Sequence, residues 1–121
     1  MILVVDNDSS FLELASKTLN RDRQVLLASN AEQAFELAKQ VGLSVVLIDL
    51  DMKGKAGLLL IQQLRETLPD LAIIAISTTL NNSTLLEEAQ KLGIAEILQK
   101  PITPEWKPVV ERVRATVRRA G

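Results

Sequence analysis

A doubly wound α/β fold in three layers is predicted by five short apolar runs spaced along the chain, each followed by a segment of helical periodicity. Runs of Val, Ile, Leu and Ala without alternating polar positions offer no face to water, so they belong in a parallel sheet covered on both sides. A chain of 121 residues suffices for one such sheet and one core, burying around two-thirds of the surface exposed on unfolding. No internal repeat, low-complexity tract or long linker interrupts the pattern.

The first run is "ILVV" at 2–5, followed by Asp8 and Ser9 as a cap for a helix carrying Phe11, Leu12, Ala15 and Leu19 on one face. "VLLA" at 25–28 is the second run. Asn30 with Gln33 then makes a capping-box start for a helix over 31–41, whose Ala34, Leu37, Ala38 and Val41 share a face and which Gly42 ends. The third run, "VVLI" at 45–48, precedes a helix with Leu60, Ile61, Leu64 and Leu68 before Pro69. The fourth, "AIIAI" at 72–76, leads to a helix that begins around Ser83 and Thr84, buries Leu85, Leu86, Ala89 and Leu92, and stops at Gly93. The last run is "EIL" at 96–98. Beyond it, Thr103-Pro104 reads as a cap and first turn, but Pro108 lacks a helical donor, so the final helix either starts near Pro108 or bends there. Trp106 is expected to be partly buried against the sheet, with a partner contact as the alternative, and Val110, Val113 and Val117 follow at helical spacing. Arg112, Arg114, Arg118 and Arg119 fit a solvated face near a helix C-terminus.

Right-handed crossovers leave few topologies. The most economical is the flavodoxin-like (βα)5 order 2-1-3-4-5, whose crevice lies at the carboxyl ends of strands 1 and 3.

Composition narrows the chemistry. Cysteine is absent, which excludes disulfides and thiolate chemistry, and so is histidine, which removes the commonest general base and the usual zinc ligand sets. Only hard-oxygen metal sites remain. With 14 Lys and Arg against 15 Asp and Glu, the charge is too balanced for this segment alone to bind nucleic acid. No apolar stretch approaches the roughly 18 residues that cross a bilayer, and Met1 leads directly into an apolar run without the features of a signal peptide. The chain reads as soluble, with no membrane partner.

Polar residues collect just past the strands: Asp6-Asn7-Asp8 after the first, Asp49 and Asp51 after the third, Ser77-Thr78 after the fourth, Lys100-Pro101 after the fifth. The predicted order brings Asp6, Asn7 and Asp49 to one crevice, flanked by Ser77 and Lys100. Such oxygen-rich side chains suit Mg²⁺. The ammonium and hydroxyl opposite them suit an anion with several oxygens, such as a phosphoryl group, and a carboxylate can itself be phosphorylated.

"ILVVDND", "VLIDLDMKGKAG", "IIAIST" and "ILQKP", in that order, resemble the signature segments of the response-regulator receiver domain of two-component signalling. The resemblance covers essentially the whole chain, 1–121, as a single receiver domain, and leaves room for an output domain beyond residue 121. It implies that Asp49 is the phosphoacceptor, that Asp6 and Asn7 stand at the acidic pair that binds Mg²⁺ together with Asp49 and the backbone carbonyl of Asp51, and that Ser77 and Lys100 grip the phosphoryl group. It also implies a cis Lys100-Pro101 bond. The expected partners are a sensor histidine kinase or phosphotransfer protein as phosphohistidine donor and a downstream protein or fused output domain, with homodimerisation through helix 4, strand 5 and helix 5 and a cytoplasmic setting. A domain of this kind catalyses its own modification and is not an enzyme with a turnover substrate.

Three positions depart from the receiver pattern. Asn7 stands where an acid is common, which removes one charge from the metal site; Lys53 replaces a proline and also fits a solvated loop; and Ile97 replaces the aromatic residue that turns inward on phosphorylation. These departures keep open a second reading, an interaction module of the same fold that is not phosphorylated. Asp49-x-Asp51 also resembles the opening pair of haloacid-dehalogenase-type phosphatases, but those place it after the first strand.

Overall fold

The computed structural model describes residues 1–19, 24–40, 42–79, 81 and 83–120, with side chains described for all of these except 83 and 116–120. Strands and helices alternate as β1 (Ile2–Val5), α1 (Ser9–Leu19), β2 (Val25–Ala28), α2 (Ala31–Gln40), β3 (Val45–Asp49), α3 (Ala56–Thr67), β4 (Ala72–Ser77), α4 (Ser83–Lys91), β5 (Glu96–Gln99) and α5 (Trp106–Ala120), with a 3-10 turn over Lys53–Lys55 ahead of α3. All strand pairs are parallel and the order is β2-β1-β3-β4-β5, as the sequence predicts.

Successive strand residues alternate between two cores. Leu3, Val5, Val46, Ile48, Ile73 and Ala75 face α2, α3 and α4, whereas Ile2, Val4, Val45, Leu47, Ile74 and Ile76 face α1 and α5. This period of two, with no polar member in β1 or β4 until Ser77, is why these strands read as continuous apolar runs. The central strands β1, β3 and β4 are buried throughout, but the edge strands are not: Val25, Leu26 and Leu27 in β2 and Glu96, Ile97 and Leu98 in β5 are half-buried. Three strands, β3, β4 and β5, extend by one polar residue at their carboxyl ends, because the ladder pairs Asp49 with Ile76 and Ser77 with Gln99.

Capping follows the sequence with one change of detail. Asp8 Oδ1 accepts from the N–H groups of Ser10 (3.0 Å) and Phe11 (3.3 Å), fixing the start of α1. Asn30 Oδ1 accepts from Gln33 N at 2.7 Å, but the Gln33 side chain reaches one residue further back than a reciprocal box requires, accepting from Ser29 N at 2.8 Å. Val41 lies outside the described residues, as do the side chains of Ser83, Val117, Arg118 and Arg119. The final helix begins at Trp106, so Pro108 falls in its first turn, where no intrahelical donor is required, and neither a bend nor a later start is needed. Trp106 is buried and packs against Phe11 with ring centroids 5.9 Å apart, which excludes the partner-contact alternative. Arg114 is instead buried, beside Glu111 at 3.3 Å, whereas Arg112 lies on the solvated face as expected and pairs there with Glu96 at 2.8 Å.

Arg65 ties the amino end of β4 to the far end of α4. Its Nε donates to Leu92 O (2.7 Å), one terminal nitrogen to Gly93 O (2.8 Å), and the other to Leu71 O (2.7 Å) and Pro69 O (3.1 Å). A single planar fork thus satisfies carbonyls in the two turns that follow α3 and α4. Arg65→Ala is expected to cost about 2–3 kcal/mol by urea denaturation, because the half-buried carbonyls lose their donors; a loss under about 0.5 kcal/mol would show that water replaces the clamp.

Candidate functional site

Each residue of the site is positioned by the carboxyl end of a strand. Asp6 follows β1 directly, and its N–H donates to Ala28 O at 3.1 Å. Asp49 closes β3, with the next amide, Leu50 N, bonded to Ile76 O at 2.8 Å. Lys100 follows β5 and is held by its own N–H on Ser77 O, also at 2.8 Å. The ladder therefore converges three side chains that lie far apart in sequence.

Asp6 is fully buried and Asp49 is 2% exposed. Lys100 Nζ lies 2.6 Å from Asp6 Oδ2 and 3.6 Å from Asp49 Oδ2. The remaining oxygen of each acid accepts a backbone N–H two residues on, Asp6 Oδ1 from Asp8 N and Asp49 Oδ1 from Asp51 N, both at 3.0 Å. Asp6 Oδ2 is met by the Lys100 ammonium at 2.6 Å and by no other donor among the described residues. Below the ammonium lies the Phe11 ring, its centroid 4.5 Å from Nζ.

Two buried carboxylates thus share one ammonium, and the ionisation of Asp49 and Lys100 reflects this. Burial pushes the Asp49 carboxyl up, the Asp51 N–H opposes it, and the negative charge of Asp6 adds to the rise against the pull of Lys100, leaving Asp49 at about 6 instead of 3.8. Burial lowers the Lys100 ammonium, but hydrogen bonding and charge from Asp6 and Asp49 outweigh it, so its net shift is upward.

The site fits a hard divalent cation. A buried carboxylate oxygen whose sole partner among the described residues is a shared ammonium, a second carboxylate beside it and a deficit of positive charge call for an oxygen-seeking ion. Among the described residues no group of three or more His, Cys, Asp or Glu could hold a metal. Other ligands would therefore have to come from amide or carbonyl oxygens, as Asn7 and the Asp51 backbone are expected to supply. Asn7 is exposed beside Asp6, and Lys53 is exposed at the start of the 3-10 turn.

Ser77 is buried near the cluster but turned away from it. Its Oγ lies 2.6 Å from Thr79 O and 3.2 Å from Asp51 Oδ1, and no hydrogen bond among the described residues joins it to Asp49 or Lys100. The Lys100-Pro101 bond is cis, as expected. Ile97 packs half-buried against the core beneath α2, α3 and α4, an ordinary strand residue.

Three contributors are not among the site residues expected from sequence. Phe11 lies under Lys100, and its place as the first buried residue of α1 after the acidic loop was the available signal. The Asp51 side chain, expected to matter only through its backbone, accepts hydrogen bonds from Thr78 N at 2.6 Å and Thr78 Oγ1 at 2.8 Å. Gly57 lets α3 approach the end of β3: a Cβ there would overlap the carbonyl oxygen of Asp49 and press on Asp49 C and Leu50 Cα at 3.1 and 3.2 Å. A glycine opening an apolar helix just after the acidic strand end was its sequence sign.

An open parallel sheet with paired acids and a lysine at its carboxyl edge defines a doubly wound α/β domain whose polar cluster lies at the topological switch point. Residues 2–107 match the response regulator receiver domain. The chain is similar to the hydrogenase transcriptional regulatory protein HoxA of Cupriavidus necator, with 28% identity over 120 residues that cover 99% of this chain and 24% of HoxA. It is also similar to the transcriptional regulatory protein SrrA of Staphylococcus aureus, with 30% identity over 119 residues, 98% of this chain and 48% of SrrA. The chain therefore spans less than half the length of these relatives. A CheY-like response regulator receiver domain protein from Methanospirillum hungatei shares the fold with a TM-score of 0.91 at 17% identity, covering 99% of this chain and 97% of that one. This chain belongs to the response regulator receiver domain family of two-component signalling, not to the dehalogenase-type phosphatases that Asp49-x-Asp51 resembles.

The raised Asp49 carboxyl has a consequence for stability. Between pH 3.8 and about 6 the folded protein holds on Asp49 a proton that the unfolded chain has released, so the contribution of this group to stability is greatest below that window and falls as pH rises through it. In EDTA, Asp49→Asn is expected to gain about 2 kcal/mol relative to wild type between pH 4 and pH 7. Urea unfolding at the two pH values checks this, and a difference that does not change with pH would contradict it.

Proposed function

We propose that Asp49 accepts a phosphoryl group from a phosphohistidine donor, a sensor histidine kinase or a phosphotransfer protein, and that the modified domain regulates a partner or a fused output domain. The observation that carries this reading is the shared lysine: two buried acids are held beside one ammonium, at 2.6 and 3.6 Å, in an arrangement short of positive charge. Asp6, Asn7, Asp49 and the backbone carbonyl of Asp51 would hold Mg²⁺. When bound, that ion supplies the positive charge that lets Asp49 stay ionised and offsets the charge of an incoming phosphoryl group.

In the transfer, an Asp49 carboxylate oxygen forms a bond to phosphorus while the phosphorus–nitrogen bond of the donor breaks and its electron pair returns to the imidazole. Lys100 is already within reach of Asp49 and offers its ammonium protons to the phosphoryl oxygens. Ser77 donates its hydroxyl to the same group after turning in from Thr79. The protein's contribution is position and charge, as phosphoryl transfer requires. It catalyses its own modification and has no turnover substrate.

Ile97 lacks a ring, so the change at the site reaches the surface of α4, β5 and α5 through the Ser77–Thr79 turn. That surface, where Arg112 and Glu96 pair, is the proposed contact for an output partner or a second copy. A single receiver domain over 1–121, acting in the cytoplasm and joined to or contacting an output domain, completes the proposal. No described helix is long and apolar enough to cross a membrane.

Incubation with acetyl phosphate and Mg²⁺ followed by intact-mass measurement tests the reading. One phosphoryl adduct on wild type, lost in Asp49→Ala, is expected; no adduct on either would favour the constitutive interaction module. Restoring the missing acid with Asn7→Asp is expected to tighten Mg²⁺ binding about tenfold, the scale of one added short-range charge interaction at the exposed mouth of the site. An unchanged Mg²⁺ titration would reject a ligand role for position 7.

A further inference from the structure

The Asp51 carboxylate has a task that its backbone does not explain. Oδ2 accepts from both Thr78 N (2.6 Å) and Thr78 Oγ1 (2.8 Å), while Oδ1 stands 3.2 Å from Ser77 Oγ. The Asp51 N–H meanwhile donates to Asp49 Oδ1. One residue therefore touches the acceptor through its backbone and the hydroxyl-bearing turn through its side chain.

We propose that Asp51 is a latch that holds the Ser77–Thr78 turn away from Asp49 until a phosphoryl group displaces it. This rests on the reading of Asp49 as phosphoacceptor. A serine hydroxyl has one proton. In this arrangement it faces Thr79 O at 2.6 Å and Asp51 Oδ1, so it serves a phosphoryl oxygen only after leaving both. The carboxylate bonds to Thr78 are charge-assisted and stabilise the turn where it is. A phosphoryl group on Asp49 brings anionic oxygens close to the Asp51 carboxylate and competes for the same hydroxyl, so the latch is opened both by repulsion and by loss of its donor. The turn has two alternative anionic partners and cannot serve both.

Asp51 acts here as a positioning residue, through Ser77, and sets how much of the phosphoryl interaction is spent on switching. Weakening the latch should favour the switched state even without a change in the metal ligands, since a side-chain substitution keeps the Asp51 carbonyl.

Beryllofluoride at saturating Mg²⁺, followed by Trp106 fluorescence and by amide NMR, provides an equilibrium measurement on wild type, Asp51→Ala, Thr78→Val and the double variant. Asp51→Ala is expected to tighten beryllofluoride binding about tenfold and Thr78→Val about threefold. Thr78→Val is expected to add nothing once Asp51 is alanine. Thr78→Val leaves every charge in place, so a purely electrostatic role for Asp51 would leave this variant silent, and that result overturns the latch. Additive effects in the double variant, or no tightening with Asp51→Ala, overturn it as well. In metal-free wild type, the Thr78 amide proton is expected downfield and to move upfield in Asp51→Ala; an unmoved proton would deny the contact itself. If wild type neither binds beryllofluoride nor forms a phosphoryl adduct, the phosphoacceptor reading fails and the latch falls with it. Beryllofluoride binding with silent variants refutes the latch alone.

Discussion

One lysine serving two buried carboxylates organises this molecule. Asp6 and Asp49 sit where the sheet admits almost no water, and Lys100 alone stands between them, close to the first and further from the second. Charges in such a place are tolerable when they are paired and hydrogen-bonded, and this set is one positive charge short. The backbone N–H of Asp8 and of Asp51 each relieve one carboxylate oxygen, yet Asp49 still rises to about 6. A site held in that condition is poised to accept a cation, and after it a group whose oxygens Lys100 can share.

The parallel sheet is what makes that arrangement rigid. Crossovers on both faces bury β1, β3 and β4 completely, so their carboxyl ends are fixed by ladder hydrogen bonds rather than by loops. Gly57 contributes from the helix side, since only a residue without a Cβ lets α3 begin against the Asp49 carbonyl. The part we propose to move is small by contrast. It is the Ser77–Thr79 turn, fastened by side-chain hydrogen bonds that a rotation can exchange.

Much of this was legible in the sequence because it depends on periodicity and on strand ends. Uninterrupted apolar runs gave the sheet its class and order, and the acids and lysine placed just past those runs had to converge once the order was set. What was hidden depended on side-chain direction. Nothing in the spacing of Asp51 says that its carboxylate turns across to Thr78, or that Ser77 faces Thr79 instead of Asp49. The Lys100–Phe11–Trp106 stack was equally invisible, because it joins residues from three separate elements. Pro108 misled in the other direction: its missing donor matters inside a helix, and it stands in the first turn.

Membership in the receiver family explains why relatives with so little shared sequence keep the same sheet, and the departures show where this chain differs within it. Ile97 packs half-buried against the core as an ordinary strand residue, where a ring is usual in the family. All of this depends on the unbalanced charge at the site, and carbon-13 NMR titration of the Asp49 carboxyl measures that most directly. The account predicts a midpoint near 6 in metal-free protein, falling when Mg²⁺ is added. A midpoint at the ordinary 3.8, indifferent to Mg²⁺, would contradict it.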